Sequence, residues 1–168
     1  MMERESLLRS AMETYGDTVY RLALCRTQSV PDAEDVYQDV FLKLLGQPAQ
    51  AWEGEHLKAW LIRTTLNHCA DLGRFRLRRQ VVPLETAADL SGPDEEAEEL
   101  WEAVGRLPEK LRITVHLYYA EGYRTEEIGM LMGVPAATVR TRLRRARSKL
   151  RDLLGGAEDG KEPLPKLE

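Results

Sequence analysis

The sequence predicts an all-α protein made of two small helical domains joined by a flexible linker, the C-terminal one a helix-turn-helix. Apolar residues recur at helical spacing along most of the 168 residues, and the alternation typical of strands is nearly absent. The segment 81–94 instead holds two prolines, one glycine and no sustained apolar period, which is typical of a linker. Helical patterns cover residues 5–27, 32–46, 54–79, 95–105, 109–121, 125–132 and 136–154.

These patterns divide the chain into four segments. Residues 1–80 form the first helical domain, 81–98 an acidic linker, 99–154 the second domain and 155–168 a disordered tail. The net charge of -4 conceals an uneven distribution. Residues 81–105 carry 8 acidic and no basic side chains, whereas residues 106–154 carry 11 basic and 5 acidic ones. A segment suited to a polyanion therefore lies beside an acidic one.

Residues 125–151 contain the most informative pattern. Thr125 is placed to cap a short helix, Gly133 begins a break, and Pro135 suits the first turn of a second helix. The inward positions of the first helix are Ile128, Leu131 and Met132, and those of the second are Val139, Leu143, Ala146 and Leu150. The outward positions of the second are Ala137, Thr141, Arg144 and Ser148, flanked by Arg140 and Arg145. This layout predicts a helix-turn-helix whose second helix enters the DNA major groove.

The second helix is basic from residue 140 to residue 151, and no acidic residue lies within this range. The basic residues are Arg140, Arg142, Arg144, Arg145, Arg147, Lys149 and Arg151. Arginine reads guanine through two hydrogen bonds and clamps phosphate, so its excess over lysine favours DNA binding. The alternative is a solvated basic surface with no ligand.

The segment Asp32–Leu45 predicts a second kind of surface. Asp32 follows Pro31 and suits a helix cap. One arc of this helix is apolar and holds Ala33, Val36, Tyr37, Val40, Phe41 and Leu44. The opposite arc holds Asp35, Gln38, Asp39 and Leu42. An aliphatic side chain ringed by acids and an amide suits a face that meets a basic protein, although a lone exposed leucine is also common.

Aromatic and basic residues are interleaved between residues 52 and 79. The aromatic ones are Trp52, Trp60 and Phe75, and the polar or basic ones are Arg63, Asn67, Arg74, Arg76, Arg78 and Arg79. This combination is what binding of single-stranded DNA requires, because it offers a charged path for phosphates and flat surfaces for bases. Two alternatives stay open: Trp60 is an ordinary core residue, and the arginine run is a solvated helix end.

Enzymatic chemistry is not predicted. The chain shows no paired carboxylates, nucleophile triad or phosphate loop, and its three histidines form no recognisable metal-ligand set, so neither a metal nor another cofactor is expected. Cys25 and Cys69 are expected to be reduced thiols of a cytoplasmic protein. No apolar run is long enough to insert in a membrane, and the N-terminus lacks the core of a signal peptide.

At this point the motifs resemble a known family. AEDVYQDVFLKLL (33–45), AWLIRTTLNHCAD (59–71) and the segment from 107 to 150 resemble regions 2.2, 2.3–2.4 and 4 of a bacterial sigma-70-type sigma factor. The order and spacing resemble those of the small two-domain extracytoplasmic-function (ECF) class. The resemblance implies promoter-specific initiation by RNA polymerase, with core polymerase (β′ clamp helices and β subunit) and promoter DNA as partners. An anti-sigma factor is a further expected partner.

The resemblance also implies a role for each predicted site residue. Asp35, Gln38, Asp39 and Leu42 would bind the clamp helices. Trp60, Arg63 and Asn67 would engage the melted −10 strand, with Arg74, Arg76 and Arg78 near its backbone and the loop 47–55 at the edge of a flipped-base pocket. Arg140, Thr141, Arg144 and Arg145 would read the −35 element, and Arg142 and Arg147 would touch phosphate or support the fold. The acidic linker would mimic RNA in a polymerase channel or act as a solvated spacer.

Three positions depart from the family pattern. Gly73 replaces a larger helix-favouring residue, so a break near the end of that helix is expected. Ala137 stands where glycine is frequent, and Arg144 occupies a variable position, so no promoter sequence is implied. The rival function is a helix-turn-helix regulator that binds duplex operator DNA independently of polymerase. A nucleic-acid enzyme and a pure interaction protein explain fewer of the motifs.

Overall fold

The computed structural model describes residues 2–47, 54–76 and 95–155, and the side chains of 3–47, 54–71 and 98–155. The chain forms two compact units, Met1–Leu84 and Glu85–Glu168, called here the N-terminal and C-terminal units. The N-terminal unit contains α1 (Met2–Thr27), α2 (Val30–Leu45) and α3 (Gly54–Arg76). The C-terminal unit contains α4 (Glu95–Gly105), α5 (Glu109–Val115), a π-helical turn (His116–Ala120), α6 (Thr125–Met132) and α7 (Ala136–Leu153). The all-α fold is thus confirmed, and no strand occurs in the described ranges.

The core of the N-terminal unit lies among its three helices. Both α2 and α3 pack on α1 through aliphatic side chains that are almost fully removed from water. The most deeply buried are Val19, Leu22, Val36, Val40, Leu61 and Ile62. The apolar arc predicted for α2 is confirmed, with only Tyr37 half-buried. Burial of such side chains is the main source of stability in a small helical unit, and it leaves the opposite arc of α2 toward solvent.

The first turn of α2 differs from the prediction. The helix begins at Val30, and Ser29 caps it by accepting a hydrogen bond at its Oγ from the Asp32 backbone N–H at 3.4 Å. Asp32 lies inside the first turn and is 2% exposed. The prediction that Asp32 caps the helix was wrong because Pro31 is tolerated within a first turn, which moves the helix start upstream of it.

Gly73 does not break α3, which continues to Arg76. The expected interruption was wrong because a glycine inside a helix costs only about 1 kcal/mol relative to alanine. Packing of the helix on α1 and α2 offsets a cost of that size. The helix therefore carries residues 60–71 on one continuous scaffold.

The C-terminal unit is built around α7, which packs on α4, α5 and α6. Its buried side chains include Leu111, Val115, Leu117, Ile128, Val139, Leu143 and Leu150. The stripe predicted for α7 is fully confirmed, because Val139, Leu143, Ala146 and Leu150 each have 0% exposure. The stripe predicted for α6 is confirmed for Ile128 and Leu131, whereas Met132 is half-buried. The buried stripe turns the basic side of α7 outward.

The turn between α6 and α7 has the expected geometry with a different cap. Gly133 ends α6 at φ 71°, a left-handed conformation that glycine adopts without strain. Thr125 is the first residue of α6, and Arg124 precedes it as the cap. The Arg124 backbone N–H donates to Glu127 Oε1 at 3.0 Å, so this carboxylate reaches back to the residue that precedes the helix. The prediction that Thr125 caps α6 was therefore wrong. Pro135 occupies the N-cap position of α7 without a capping hydrogen bond from its side chain, one residue before the first turn in which it was predicted to lie.

Candidate protein-binding and nucleic-acid-binding surfaces

An exposed stripe on α2, called here the acidic face, contains Asp35, Gln38, Asp39 and Leu42. These positions are three or four residues apart, so they follow one side of the helix. Leu42 is 62% exposed at the C-terminal end of this stripe, with Asp35 and Gln38 also exposed. The structure therefore brings all four predicted residues together on a single solvent-facing stripe.

Asp39 differs from its neighbours because its carboxylate contacts α3. Its Oδ2 lies 2.8 Å from His68 Nε2, and the two side chains are 49% and 22% exposed, respectively. Sequence reasoning assigned His68 no function. The two residues are 29 positions apart, so no local pattern signals the contact.

The exposed side of α3 carries Arg63 and Asn67, with Trp60 half-buried beside them. The spacing of three and four residues places the three side chains on one face of the helix. Leu61, Ile62 and Thr65 lie on the buried side, and the Thr65 hydroxyl donates to the Leu61 carbonyl at 2.6 Å. A flat indole next to a cation and an amide can stack an unpaired base and contact its backbone.

The remaining predicted residues of this region are not all described. Arg74 and Arg76 lie in the last turns of α3, but their side chains are outside the described set. Arg78 and Arg79 lie outside the described residues, as do positions 48–53 of the loop 47–55 and residues 77–94 of the linker region. The first helix of the C-terminal unit begins at Glu95, inside the segment 81–98 predicted as linker.

The outward side of α7, called here the basic face, contains Arg140, Thr141, Arg144 and Arg145. The three arginines are exposed, and Thr141 is half-buried between them. Thr141 Oγ1 donates to the Ala137 carbonyl at 3.1 Å and accepts from Arg144 Nη2 at 3.4 Å. The Arg144 guanidinium therefore has one contact with its own helix and otherwise faces solvent.

Arg140 is paired across the turn. Its Nη1 lies 3.9 Å from Glu126 Oε1 of α6, and both side chains are largely exposed. Such an exposed pair contributes little to folding, about 0–1 kcal/mol. The pair nevertheless places a carboxylate beside the first arginine of the basic face.

Arg142 and Arg147 lie at the sides of α7 and are half-buried, unlike the arginines of the basic face. The Nε of Arg147 is fully removed from solvent. A guanidinium with a buried Nε is suited to supporting the packing of the helix, with its remaining donors near the surface. The structure therefore separates these two arginines from the four residues of the basic face.

The Cys69 thiol is not suited to nucleophilic chemistry at neutral pH. Cys69 is 1% exposed on α3, and burial raises the pKa of its thiol to about 12. Cys25 on α1 is half-buried, and neither cysteine forms a disulfide. Among the described side chains, no group of three or more His, Cys, Asp or Glu is placed to hold a metal ion. Within the described ranges, none of the helices is both long enough and apolar enough to cross a bilayer.

Comparisons with known proteins match both units. Sigma-70 region 2 matches residues 11–81, and sigma-70 region 4 matches residues 97–150. The ECF RNA polymerase sigma factor SigE of Mycolicibacterium smegmatis is 33% identical over 152 residues, which cover 83% of this chain and 58% of the relative. SigM, an ECF RNA polymerase sigma factor of Mycobacterium tuberculosis, is 30% identical over 145 residues, covering 84% of this chain and 74% of the relative.

A solved structure shows the same fold. The sigma factor RpoE of Bartonella quintana, crystallised with the anti-sigma factor NepR, superposes with a TM-score of 0.71. Its identity is 23%, and the match covers 87% of this chain and 95% of the other. The fold is thus that of a helical protein with a helix-turn-helix in its second unit.

The matches to both regions, together with the identity and coverage of the SigM relative, place the chain in a family. It belongs to the ECF sigma factors of the sigma-70 family. The chain spans little more than half of the length of the SigE relative.

Proposed function

We propose that this chain is an RNA polymerase sigma factor that directs promoter-specific transcription initiation. The observation that carries the proposal is the presence of an acidic face with an exposed leucine in one unit and an arginine-rich helix in the other. A DNA reader alone requires only the second surface. A factor that brings a polymerase to DNA requires both.

In this proposal the acidic face binds the β′ clamp helices of core polymerase, with further contacts to the β subunit. Leu42 offers an exposed aliphatic anchor, which is the kind of side chain that gains most when water is excluded around it. The surrounding carboxylates of Asp35 and Asp39 favour a basic partner. Gln38 adds a donor and an acceptor that survive a change in ionic strength.

The exposed side of α3 would capture unpaired −10 bases. Trp60 offers a stacking surface, and Arg63 and Asn67 offer donors to a base edge or to phosphate. Arg74, Arg76 and Arg78 belong to the same proposal as backbone contacts, on the strength of the sequence alone. Because stacking accepts every base, specificity would depend on the polar neighbours.

The basic face of α7 would read the −35 element as duplex DNA. The exposure of Arg140, Arg144 and Arg145 supports insertion of this side into the major groove. Half-buried Arg142 and Arg147 are better suited to phosphate contact or to packing than to base edges. Recognition of the −35 sequence would therefore depend on few side chains, and the affinity of α7 alone for duplex DNA need not be high.

The proposal assigns no catalytic step and no cofactor to this chain, because phosphodiester chemistry belongs to the polymerase. It places the chain in the cytoplasm, where bacterial transcription takes place. It also includes an anti-sigma factor as a regulatory partner, since the structurally similar RpoE was crystallised with one. The rival helix-turn-helix regulator leaves the acidic face of α2 without a role.

Reconstituted transcription tests the proposal. Purified core polymerase, genomic DNA and the full chain are combined, and RNA 5′ ends are mapped with and without the chain. We expect chain-dependent start sites that share two elements upstream. A chain that binds duplex DNA but never core polymerase, in native gels at micromolar concentration, would contradict the proposal and support the rival regulator.

A matched pair of variants assigns the surfaces. Q38A/L42A should lose core binding, whereas R140A/R144A should retain core binding and lose −35 recognition. Both pairs change exposed positions, so the fold should be retained. Loss of core binding in the second pair would overturn the division of labour between the two units.

A further inference from the structure

His68 links the acidic face to the helix proposed to read the −10 strand. It lies on α3 directly after Asn67, and its Nε2 contacts Oδ2 of Asp39 on α2 at 2.8 Å. The distance is that of a strong hydrogen bond to a carboxylate. The contact therefore joins two proposed binding surfaces of the same unit through a single pair of side chains.

The contact lies at the rim of the unit and not in its core. The core between α2 and α3 consists of aliphatic side chains such as Val36, Val40 and Leu61, each with 0% exposure. Asp39 retains 49% of its side-chain exposure. Loss of the hydrogen bond itself leaves these aliphatic side chains buried, so its main consequence is for the orientation of the carboxylate.

The geometry leaves Asp39 available to a partner while fixing its direction. An ionised carboxylate has two oxygens and about four lone-pair sites, so a bond from His68 to Oδ2 does not prevent further donors from binding. A side chain already held in its bound rotamer loses less conformational entropy on association. Asp39 is thus preorganised by a residue that belongs to the other helix.

We infer that His68 is a positioning residue that prepares Asp39 for docking on core polymerase and couples that docking to −10 strand capture by α3. The inference rests on the function proposed above. A basic partner that binds Asp39 stabilises the Asp39–His68 bond. Because Asn67 directly precedes His68, this bond also restrains the part of α3 that carries Asn67. Coupling of this kind is reciprocal, so captured DNA must also strengthen core binding.

A double-mutant cycle measures the first half of the inference. H68A, D39A and the double variant are compared with the unmodified full chain for affinity to core polymerase. H68A is expected to lose affinity by about fivefold or more, the lower end of measured couplings, and to add nothing in the D39A background. Fully additive effects would overturn the inference.

Two further variants separate positioning from general damage. H68Q keeps an N–H donor on a side chain of similar reach, so it should recover most of the lost affinity. His56 is exposed in the first turn of α3, and H56A should bind core as the unmodified chain does. Equal loss in H68Q and H68A, or an equal loss in H56A, counts against a role for the hydrogen bond.

The second half is tested with the assembled complex. Core polymerase loaded with each variant is titrated with a single-stranded oligonucleotide that carries the mapped −10 element. H68A should weaken oligonucleotide binding even when core polymerase is saturating. D39A should weaken it to the same extent, and the H68A/D39A double variant should bind no more weakly than either single variant. If the unmodified chain does not bind core polymerase, the proposed function itself is wrong. If it binds core but H68A leaves oligonucleotide binding unchanged, only this inference is wrong.

Discussion

Gly129 of α6 lies against the backbone carbonyl of Val134 in the turn, and a Cβ added at Gly129 would approach that oxygen to 2.5 Å. The same Cβ would lie 3.4 Å from the backbone nitrogen of Ala136, the first residue of α7. Because these neighbours are backbone atoms, they cannot turn aside as a flexible side chain does. The close approach of α6 to the turn therefore requires glycine.

Replacement of Gly129 with alanine is expected to destabilise the C-terminal unit. Overpacking costs about 1–3 kcal/mol, and the helix-forming advantage of alanine offsets about 1 kcal/mol of it. A net loss of about 1 kcal/mol should lower the thermal midpoint by roughly 4–8 °C for a unit of this size. Circular dichroism of the full chain measures it. Gly46→Ala is the control, since its nearest backbone neighbour lies at 3.6 Å, and an equal shift in both variants would show that crowding is not the cause.

Leu42→Ala is expected to weaken core binding without lowering stability. The side chain is 62% exposed in the free chain, so its loss costs folding little. At the centre of an interface, truncation of an anchor costs about 2 kcal/mol, or roughly 30-fold in affinity. Biolayer interferometry with core polymerase provides the measurement. Met12→Ala removes another exposed apolar side chain of the same unit and should leave binding unchanged; equal losses would remove Leu42 from the interface.

Arg144→Ala is expected to relax the −35 preference as well as weaken binding. A bidentate contact to a base discriminates by about 1–3 kcal/mol, and loss of that contact flattens the preference at one base pair. Sequencing of duplexes selected by the loaded polymerase reads this directly. Lys149→Ala removes an exposed cation one turn beyond Arg145, nearer the C-terminal end of α7, and should leave the preferred sequence unchanged. Unaltered selectivity in R144A would assign Arg144 to the phosphate backbone.

The two cysteines are expected to differ in reactivity. Burial raises the pKa of the Cys69 thiol from 9.0 to about 12, so at pH 8 it remains protonated and shielded, whereas Cys25 is half-buried. Iodoacetamide should therefore modify Cys25 first, and Cys69 only after unfolding. Mass spectrometry of the native and urea-treated chain resolves the two sites. Simultaneous modification in the native chain would contradict the burial of Cys69.

The raised pKa of the Cys69 thiol also predicts that stability falls at high pH. The folded chain retains the Cys69 proton more strongly than the unfolded chain does, so this group favours folding at pH values below 9.0. Its contribution is lost as the pH rises from 9.0 toward about 12. Urea unfolding at pH 8 and pH 10.5 should show a smaller decline for Cys69→Ala than for the unmodified chain. An identical decline would mean that other groups control the alkaline limb.

Helical periodicity predicted the buried side of each long helix because burial follows directly from the angle between side chains. The stripe Val139, Leu143, Ala146 and Leu150 is the clearest case. The ends of helices were harder to predict, since Ser29 and Asp32 are rival caps for α2, and Arg124 and Thr125 are rival caps for α6. Differences of a few tenths of a kcal/mol between caps decide such contests, and sequence pattern does not resolve them.

Two features were beyond local pattern altogether. The π-helical turn at His116–Ala120 was predicted as ordinary helix, because one extra residue in a turn leaves the surrounding periodicity nearly unchanged. His68 was missed as a site residue because its partner Asp39 lies on a different helix. The acidic and basic faces were predictable for the opposite reason, since each is formed within a single helix.

The Arg140–Glu126 pair has a consequence for how affinity responds to salt. A phosphate that binds Arg140 displaces a carboxylate 3.9 Å away, and this carboxylate is tethered to the protein instead of being a free ion. Because binding releases counterions from DNA, the logarithm of the affinity falls by roughly 0.9 per neutralised phosphate for each tenfold rise in salt concentration. Once Arg140 has left it, the Glu126 carboxylate attracts a cation from solution. This uptake offsets part of the counterion release from DNA. The arginine count of α7 therefore overstates its sensitivity to ionic strength.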